Sequence, residues 1–468
     1  MKVTLVGLLA VLTIVIPSYV WHIIAYTWQM LLAVLLKYTF GEKFAHHMYI
    51  AIIRFQDFLM HMFFILVCCS LELVLGTKVE YTIVDEAGQQ HLDANYLNRS
   101  TGQPDLSKLL RSPSKGKAKI IIMNHHTRVD WMYLFLFVSR AHGLAPTLRI
   151  VLKESLKKIP VVGYGMELFR YLFLSRSWEK DQSYLRDMIQ FYKDTNDTVS
   201  IFIFPEGTDL SKSNIEKSNA YAVKQGLPQF YHVLTPRTTG IVGLMEFVGE
   251  ENVEEIIDLT LGYTYAGPGL RPDEPSLVNG NQPRAVHLLA QVFRYAKADP
   301  SVSTSVSVAP DEKEAFVQFI HDRFAVKEQL LSRFYQTNPV GFDTADVKAV
   351  VGEKYGVKSF DRSRTSSPFV NLVEQVGVIY FLYCLALFVP VLIYAATHIT
   401  LCNLLFVAAQ LALTFWLVNS HGGMQQLLIL RKVKDNETYW ARIQKKLNEG
   451  QKEKHNIKIK NNKTTLYT

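Results

Sequence analysis

Residues 3–36 contain no Lys, Arg, Asp or Glu. As one helix these 34 residues would measure roughly 50 Å, whereas the hydrocarbon core of a bilayer needs only ~30 Å. The run is too long for the apolar part of a cleaved signal peptide, and no small-residue cleavage site closes it. A membrane anchor broken or tilted at Pro17 fits the length, with Trp21, Tyr26 and Trp28 suited to a water interface.

A second apolar stretch, residues 48–75, carries Arg54 and Asp57 on neighbouring turns and Glu72 near its end. It is expected to lie at the interface or to pack on the first helix rather than to span alone. Two later runs, 376–399 with Pro390 inside it and 400–418, are each long enough to cross a bilayer, with only His398, Asn403 and Gln410 strongly polar. They read as a hairpin with both ends on the cytosolic side. The net charge is +8, and from Arg431 onward the chain holds 11 Lys and Arg against 4 Asp and Glu, so this tail alone supplies +7. A basic tail after an apolar run faces lipid headgroups. A nucleic-acid binder would carry its charge on the folded body, so nucleic acid is not an expected partner. Cys68, Cys69, Cys384 and Cys402 all lie in apolar stretches without zinc spacing, and His46, His47 and His61 form no H-x-x-H-H box. Neither a disulfide framework nor a metal site is expected.

The middle of the chain has soluble patterning. Residues 119–123, 148–152, 171–174, 199–204 and 256–265 read as strands, 130–140, 178–193 and 312–335 as helices, and 267–283 as a surface excursion rich in Gly and Pro. Alternation of this kind implies an α/β body with a mostly parallel sheet between helices. The organisation is therefore membrane-anchoring helices over 1–77, the α/β body over 78–340, a linker over 341–370, the hairpin over 371–420 and the basic tail over 421–468.

The densest polar cluster is Asn124-His125-His126-Thr127-Arg128-Val129-Asp130-Trp131, between a strand and a helix. There a parallel sheet presents side chains to a crevice. An imidazole held by a carboxylate is a general base for a hydroxyl, because its ordinary pKa of ~6.5 leaves it able to accept a proton near neutrality. Two histidines compete. On one continuous helix His126 and Asp130 share a face, whereas His125 reaches Asp130 only from a loop before the helix begins.

His125 and Asp130, as Asn-His-x4-Asp, followed by Phe204-Pro205-Glu206-Gly207-Thr208, resemble the first and third sequence blocks of the glycerolipid acyltransferases of the 1-acylglycerol-3-phosphate acyltransferase type. Tyr171-Leu172-Phe173-Leu174-Ser175-Arg176 resembles the second block, and His232-Val233-Leu234-Thr235-Pro236 the fourth. Lys153-Glu154-Ser155-Leu156 with Ile159, Pro160 and Gly163 is similar to the family's basic element before the second block. The resemblance selects His125 with Asp130 as the catalytic pair. It makes Lys153, Arg176, Glu206, Gly207, Thr208, Asp209 and Pro236 the candidate substrate-binding residues, with Lys153 and Arg176 on phosphate. One position departs: the family's third block usually continues with Arg, and here it is Asp209. A carboxylate repels a phosphomonoester and accepts hydrogen bonds from headgroup hydroxyls. With the run Tyr231 to Gly240, this looks most like the lysocardiolipin acyltransferase branch.

The resemblance implies an integral membrane enzyme, of the endoplasmic reticulum or the mitochondria-associated membrane. It would move an acyl group from acyl-CoA to a lysophospholipid such as lysocardiolipin, lysophosphatidylglycerol, lysophosphatidylinositol or lysophosphatidic acid. Acyl-CoA is then a co-substrate and no cofactor is required. A catalytically silent lipid-binding or lipid-transfer protein is the alternative, and a membrane esterase a third reading weakened by the lack of a G-x-S-x-G elbow.

Overall fold

The computed structural model describes residues 42–86, 111–139, 144–159, 162–264, 273–279, 282–294, 313–336 and 341–361, with isolated positions elsewhere. The first apolar run, nearly all of the C-terminal hairpin and the basic tail lie outside the described residues.

Strands β2 (Ala118–Met123) and β5 (Val199–Ile203) are buried along their whole length. Runs such as Ile-Ile-Ile-Met have no polar face for water, so they belong in a sheet covered on both sides. The sheet has eight strands in the order β4 (Leu172–Leu174), β3 (Leu148–Lys153), β5, β2, β6 (Val253–Thr264), β7 (Ala285–Arg294), β1 (Lys78–Asp85), β8 (Gly356–Asp361). From β4 to β6 every neighbour is parallel, as is β7 with β1, while β6–β7 and β1–β8 are antiparallel. The expected α/β body is present, with a mixed and mostly parallel sheet. Register pairs Lys153 with Leu174 and Ile122 with Ile203, so β2, β3, β4 and β5 end on one edge, while β6 runs on past Leu259, the partner of Met123.

Around the sheet run α1 (Glu42–Cys69), α2 (Asp130–Val138), α3 (Val162–Leu168), α4 (Trp178–Asp194), α5 (Lys212–Gln225), α6 (Thr238–Val248), α7 (Glu274–Val278), α8 (Lys313–Gln336) and α9 (Thr344–Val351). Helix α7 interrupts the expected surface excursion. A correction concerns 341–370: its first part is no linker, because α9 and β8 form there and β8 pairs with β1 from Asp361↔Glu80 to Gly356↔Asp85. Strands β1, β7 and β8 were not read from the sequence, since β1 and β7 mix buried polar residues such as Thr82, His287 and Gln291 into their apolar runs and β8 is an edge strand.

Helix α1 continues through a π turn, Ser70–Val74, and the segment Ile50–Val74 is long and apolar enough to cross a bilayer. Within it, 67% of the most apolar 18-residue stretch is buried inside the protein. Phe64 stacks on Phe135 of α2 at 3.8 Å between ring centroids, and Phe63 meets the same ring edge-on at 6.1 Å. Its charges are also used by the body. Asp57 Oδ1 accepts from Arg149 Nη2 at 3.0 Å and Arg170 Nη2 at 2.6 Å, and Asp197 Oδ2 accepts from the same two nitrogens at 2.9 and 3.2 Å. Arg54 closes the cluster onto Asp197 Oδ1 at 3.0 Å. The polar residues that set this helix apart from a simple span therefore bind it to the sheet domain.

Candidate active site

At the end of β2 the Asn124 side chain bridges to β6, accepting from Leu261 N at 2.7 Å and donating to Leu261 O at 3.0 Å. The chain then turns, and α2 starts only at Asp130. No continuous helix links 126 to 130, which removes the geometry that favoured His126. From the loop, His125 Nδ1 lies 3.0 Å from Asp130 Oδ2. Asp130 is fully buried, whereas the His125 side chain keeps 17% of its surface. Among the described residues none hydrogen-bonds Nε2 of His125. Its ring stacks on Phe204 at 3.9 Å.

Asp130 is held from several sides. Thr127 N–H donates to Oδ2 at 2.9 Å, the Thr127 hydroxyl to Oδ1 at 3.1 Å, and the buried Tyr263 hydroxyl to Oδ1. A carboxylate with its lone pairs engaged is fixed in orientation, and the Nδ1–H it accepts fixes the imidazole tautomer, leaving Nε2 as the basic nitrogen. Burial and then the charge of Asp130 push the Tyr263 phenol well above its usual range, so it stays a donor. His126 is buried with its ring 5.5 Å from Tyr263 and 6.0 Å from Tyr335, a packing role.

The Glu206-Gly207-Thr208 turn follows β5 and is stitched to the His125 loop. Glu206 Oε1 accepts from His125 N at 2.7 Å and Oε2 from Leu234 N at 2.9 Å, while Leu210 N–H donates to His125 O at 2.8 Å. Burial, with Asp130 adding, pushes the Glu206 carboxyl up to about 8 against the pull of those two N–H donors. Both its oxygens are spent on backbone, so Glu206 braces the motif rather than offering itself to an acceptor. Gly207 sits at φ 70°, which favours a residue without Cβ. Thr208 and Asp209 are half-buried, and Asn214 Nδ2 donates to Thr208 Oγ1 at 3.2 Å and to Asp209 O at 2.9 Å.

Arg176 follows β4 at φ 69°, its N–H donating to Asp181 Oδ2 at 2.9 Å and its Nη2 to Gly207 O at 2.5 Å. Burial first, then Arg237, hold its guanidinium below the usual arginine range, with Asp209 opposing. Lys153 is exposed at the end of β3 on the same edge, while its neighbour Lys157 is buried over the Phe173 ring at 4.8 Å. Pro236 is buried, and the following Arg237 N–H donates to Pro205 O at 2.7 Å. Hydrogen bonds thus join the His125, Glu206 and Pro236 loops into one unit at the end of the sheet.

Sequence reading missed Thr127, Tyr263, Arg237 and Glu328. The Glu328 carboxylate, on α8, accepts from the N–H groups of Tyr231, His232 and Val233 and pairs with His232 Nδ1 at 3.0 Å. Thr127 and Arg237 had a local signal, one inside the polar cluster three residues before Asp130 and the other a cation directly after Pro236; Tyr263 and Glu328 depend on strand register and on α8 crossing β6.

Residues 103–246, which hold these loops, match the family model described as Acyltransferase. The chain is 36% identical over 222 residues to lysocardiolipin acyltransferase 1 of Gallus gallus, covering 47% of this chain and 55% of that protein. It is 37% identical over 223 residues to lysophosphatidylinositol acyltransferase 10 of Caenorhabditis elegans, covering 47% and 54%. Against probable 1-acyl-sn-glycerol-3-phosphate acyltransferase 5 of Arabidopsis thaliana the identity is 31% over 216 residues, covering 46% and 53%. The chain spans about half the length of these curated relatives. The resemblance read from the motif blocks is borne out, and so is its leaning towards the lysocardiolipin branch.

Proposed function

We propose that the protein is an acyl-CoA-dependent lysophospholipid O-acyltransferase of a membrane, in keeping with the endoplasmic reticulum location that the resemblance implies. The observation that carries the proposal is the pairing of half-sheltered His125 with fully buried Asp130, with Nε2 left on the open side. Nε2 takes the proton of the acceptor hydroxyl as its oxygen attacks the thioester carbonyl. The tetrahedral adduct collapses, the C–S bond breaks, and the CoA sulfur leaves with that proton. A base in this role contributes roughly 10²- to 10⁴-fold. Among the described residues no Ser or Cys is paired with the imidazole, in keeping with direct transfer without an acyl-enzyme.

Asp209 beside Arg176 favours a phosphodiester headgroup carrying hydroxyls over a phosphomonoester. The bilayer setting follows from the substrates: at ~0.8 kcal/mol per buried CH₂, a chain of ~16 carbons prefers the membrane by roughly 12 kcal/mol.

Purified full-length protein incubated with labelled oleoyl-CoA and a panel of lysophospholipids tests the proposal. Label is expected in a diacyl phospholipid, with lysocardiolipin, lysophosphatidylglycerol or lysophosphatidylinositol ahead of lysophosphatidic acid. Label released only as free oleate, or lipid bound and unchanged, overturns it.

A further inference from the structure

Arg176 and Arg237 arrive from different loops at one glycine, Gly207. Arg176 donates to the Gly207 carbonyl, and the Cδ of Arg237 lies 3.5 Å from where a Cβ on Gly207 would stand. Neither backbone is free to drift. Arg176 is held in the left-handed region by the Asp181 carboxylate, which also takes the N–H and hydroxyl of Ser175 at 2.7 Å each. Arg237 is pinned by its own N–H on Pro205 O, in the loop that Glu206 and Glu328 organise.

A left-handed conformation in a residue with a Cβ is strained and persists where the surroundings over-determine it. Two guanidinium groups held this close repel each other, as their effect on Arg176 shows. Asp209 is the carboxylate on that turn that offsets them, and one of its oxygens already faces the Thr208 hydroxyl. Among the described residues no side-chain acceptor meets the exposed Arg237 guanidinium. Planar forks of five N–H donors match phosphate oxygens two at a time, which a single lysine cannot do.

We infer that Arg237 is a specificity-determining residue that, with Arg176, grips the phosphodiester of the acceptor lysophospholipid beside Gly207. The inference rests on the acyltransferase reading for the identity of the ligand. Phosphate also occurs in CoA, and the experiment separates the two sources.

Full-length protein in phosphatidylcholine nanodiscs is assayed with oleoyl-CoA and lysophosphatidylglycerol, each varied in turn. Binding of labelled lysophosphatidylglycerol and of monoacylglycerol, which has no phosphate, is measured in the His125→Ala background. Arg237→Gln is expected to raise the acceptor KM and weaken lysophosphatidylglycerol binding by ~10-fold or more, with monoacylglycerol binding, the oleoyl-CoA KM and the unfolding temperature unchanged. Arg237→Lys recovers part of the loss. Equal losses for both lipids, an unchanged acceptor KM, or a rise confined to the oleoyl-CoA KM overturns the inference. Lost lysophosphatidylglycerol binding on Arg237→Gln, together with no acyl transfer by the protein that retains His125, would sink the enzyme reading and leave Arg237 as a phosphate ligand.

Discussion

Asp130 and Asp197 are both buried carboxylates that accept from several donors, yet the two regions behave differently. Around Asp197 the donors are Arg54, Arg149 and Arg170, with Asp57 as second anion, and the Arg149 side chain has no exposed surface. Against the penalty of burial, Arg149 and Arg170 hold the Asp197 carboxyl down to about 2. These cations keep their protons at any ordinary pH, so the cluster is locked and serves as a joint between α1 and the sheet. Around Asp130 the donors are a backbone N–H, two hydroxyls and one imidazole, and the imidazole keeps a second nitrogen on the open side. A buried carboxylate becomes chemistry when one of its partners is titratable and has a second nitrogen facing out.

The largest effect expected from this contrast is on turnover. His125→Ala should lower kcat/KM by roughly 10²- to 10⁴-fold while leaving the unfolding midpoint nearly unchanged, as initial rates and thermal scans of the same preparation would show. An active variant at native rate would put the base elsewhere.

The reverse pattern is expected at the joint. Asp57→Ala leaves Arg149 and Arg170 underpaired and should cost about 3–5 kcal/mol of stability, read by denaturant unfolding, with the activity of the remaining folded protein preserved. Loss of activity without loss of stability would make α1 part of the site.

The pH dependence of stability is a smaller test. The folded carboxyl of Asp197 lies at about 2, below the ~3.9 of an unfolded aspartate. The unfolded chain therefore binds the proton more tightly, and stability present above pH ~4 is lost as pH falls through ~2, on the order of 2 kcal/mol. Asp197→Asn should flatten that window, at the cost of overall stability.

Tyr263→Phe should give the smallest change. With one of the donors that orient Asp130 removed, kcat/KM is expected to fall by roughly 5-fold, the rate equivalent of about 1 kcal/mol, far less than for His125→Ala. An unchanged rate would reduce Tyr263 to packing.

The joint and the site were not equally legible. Asn124, His125, Asp130 and Glu206 to Asp209 are contiguous blocks whose spacing survives in the chain itself, and the strands before them were readable from unbroken apolar runs. Arg54 and Asp57 were visible as anomalies in an apolar helix, but their partners at 149, 170 and 197 are not, because contacts between distant segments leave no local pattern. Glu206 shows the same limit. Its place in a motif was evident, whereas its use as a brace between the loops at 125 and 234 depends on burial.

The sequence by itself determined the alternation of strands and helices, the motif blocks and the segregation of apolar runs, all of which follow from the hydropathy and chemistry of near neighbours. Only the tertiary structure decided between His125 and His126, by starting a helix at Asp130. It also brought Tyr263 and Glu328 to the site and set Arg237 and Arg176 at Gly207, because strand register and helix crossing are fixed by packing over the whole body rather than by any single segment.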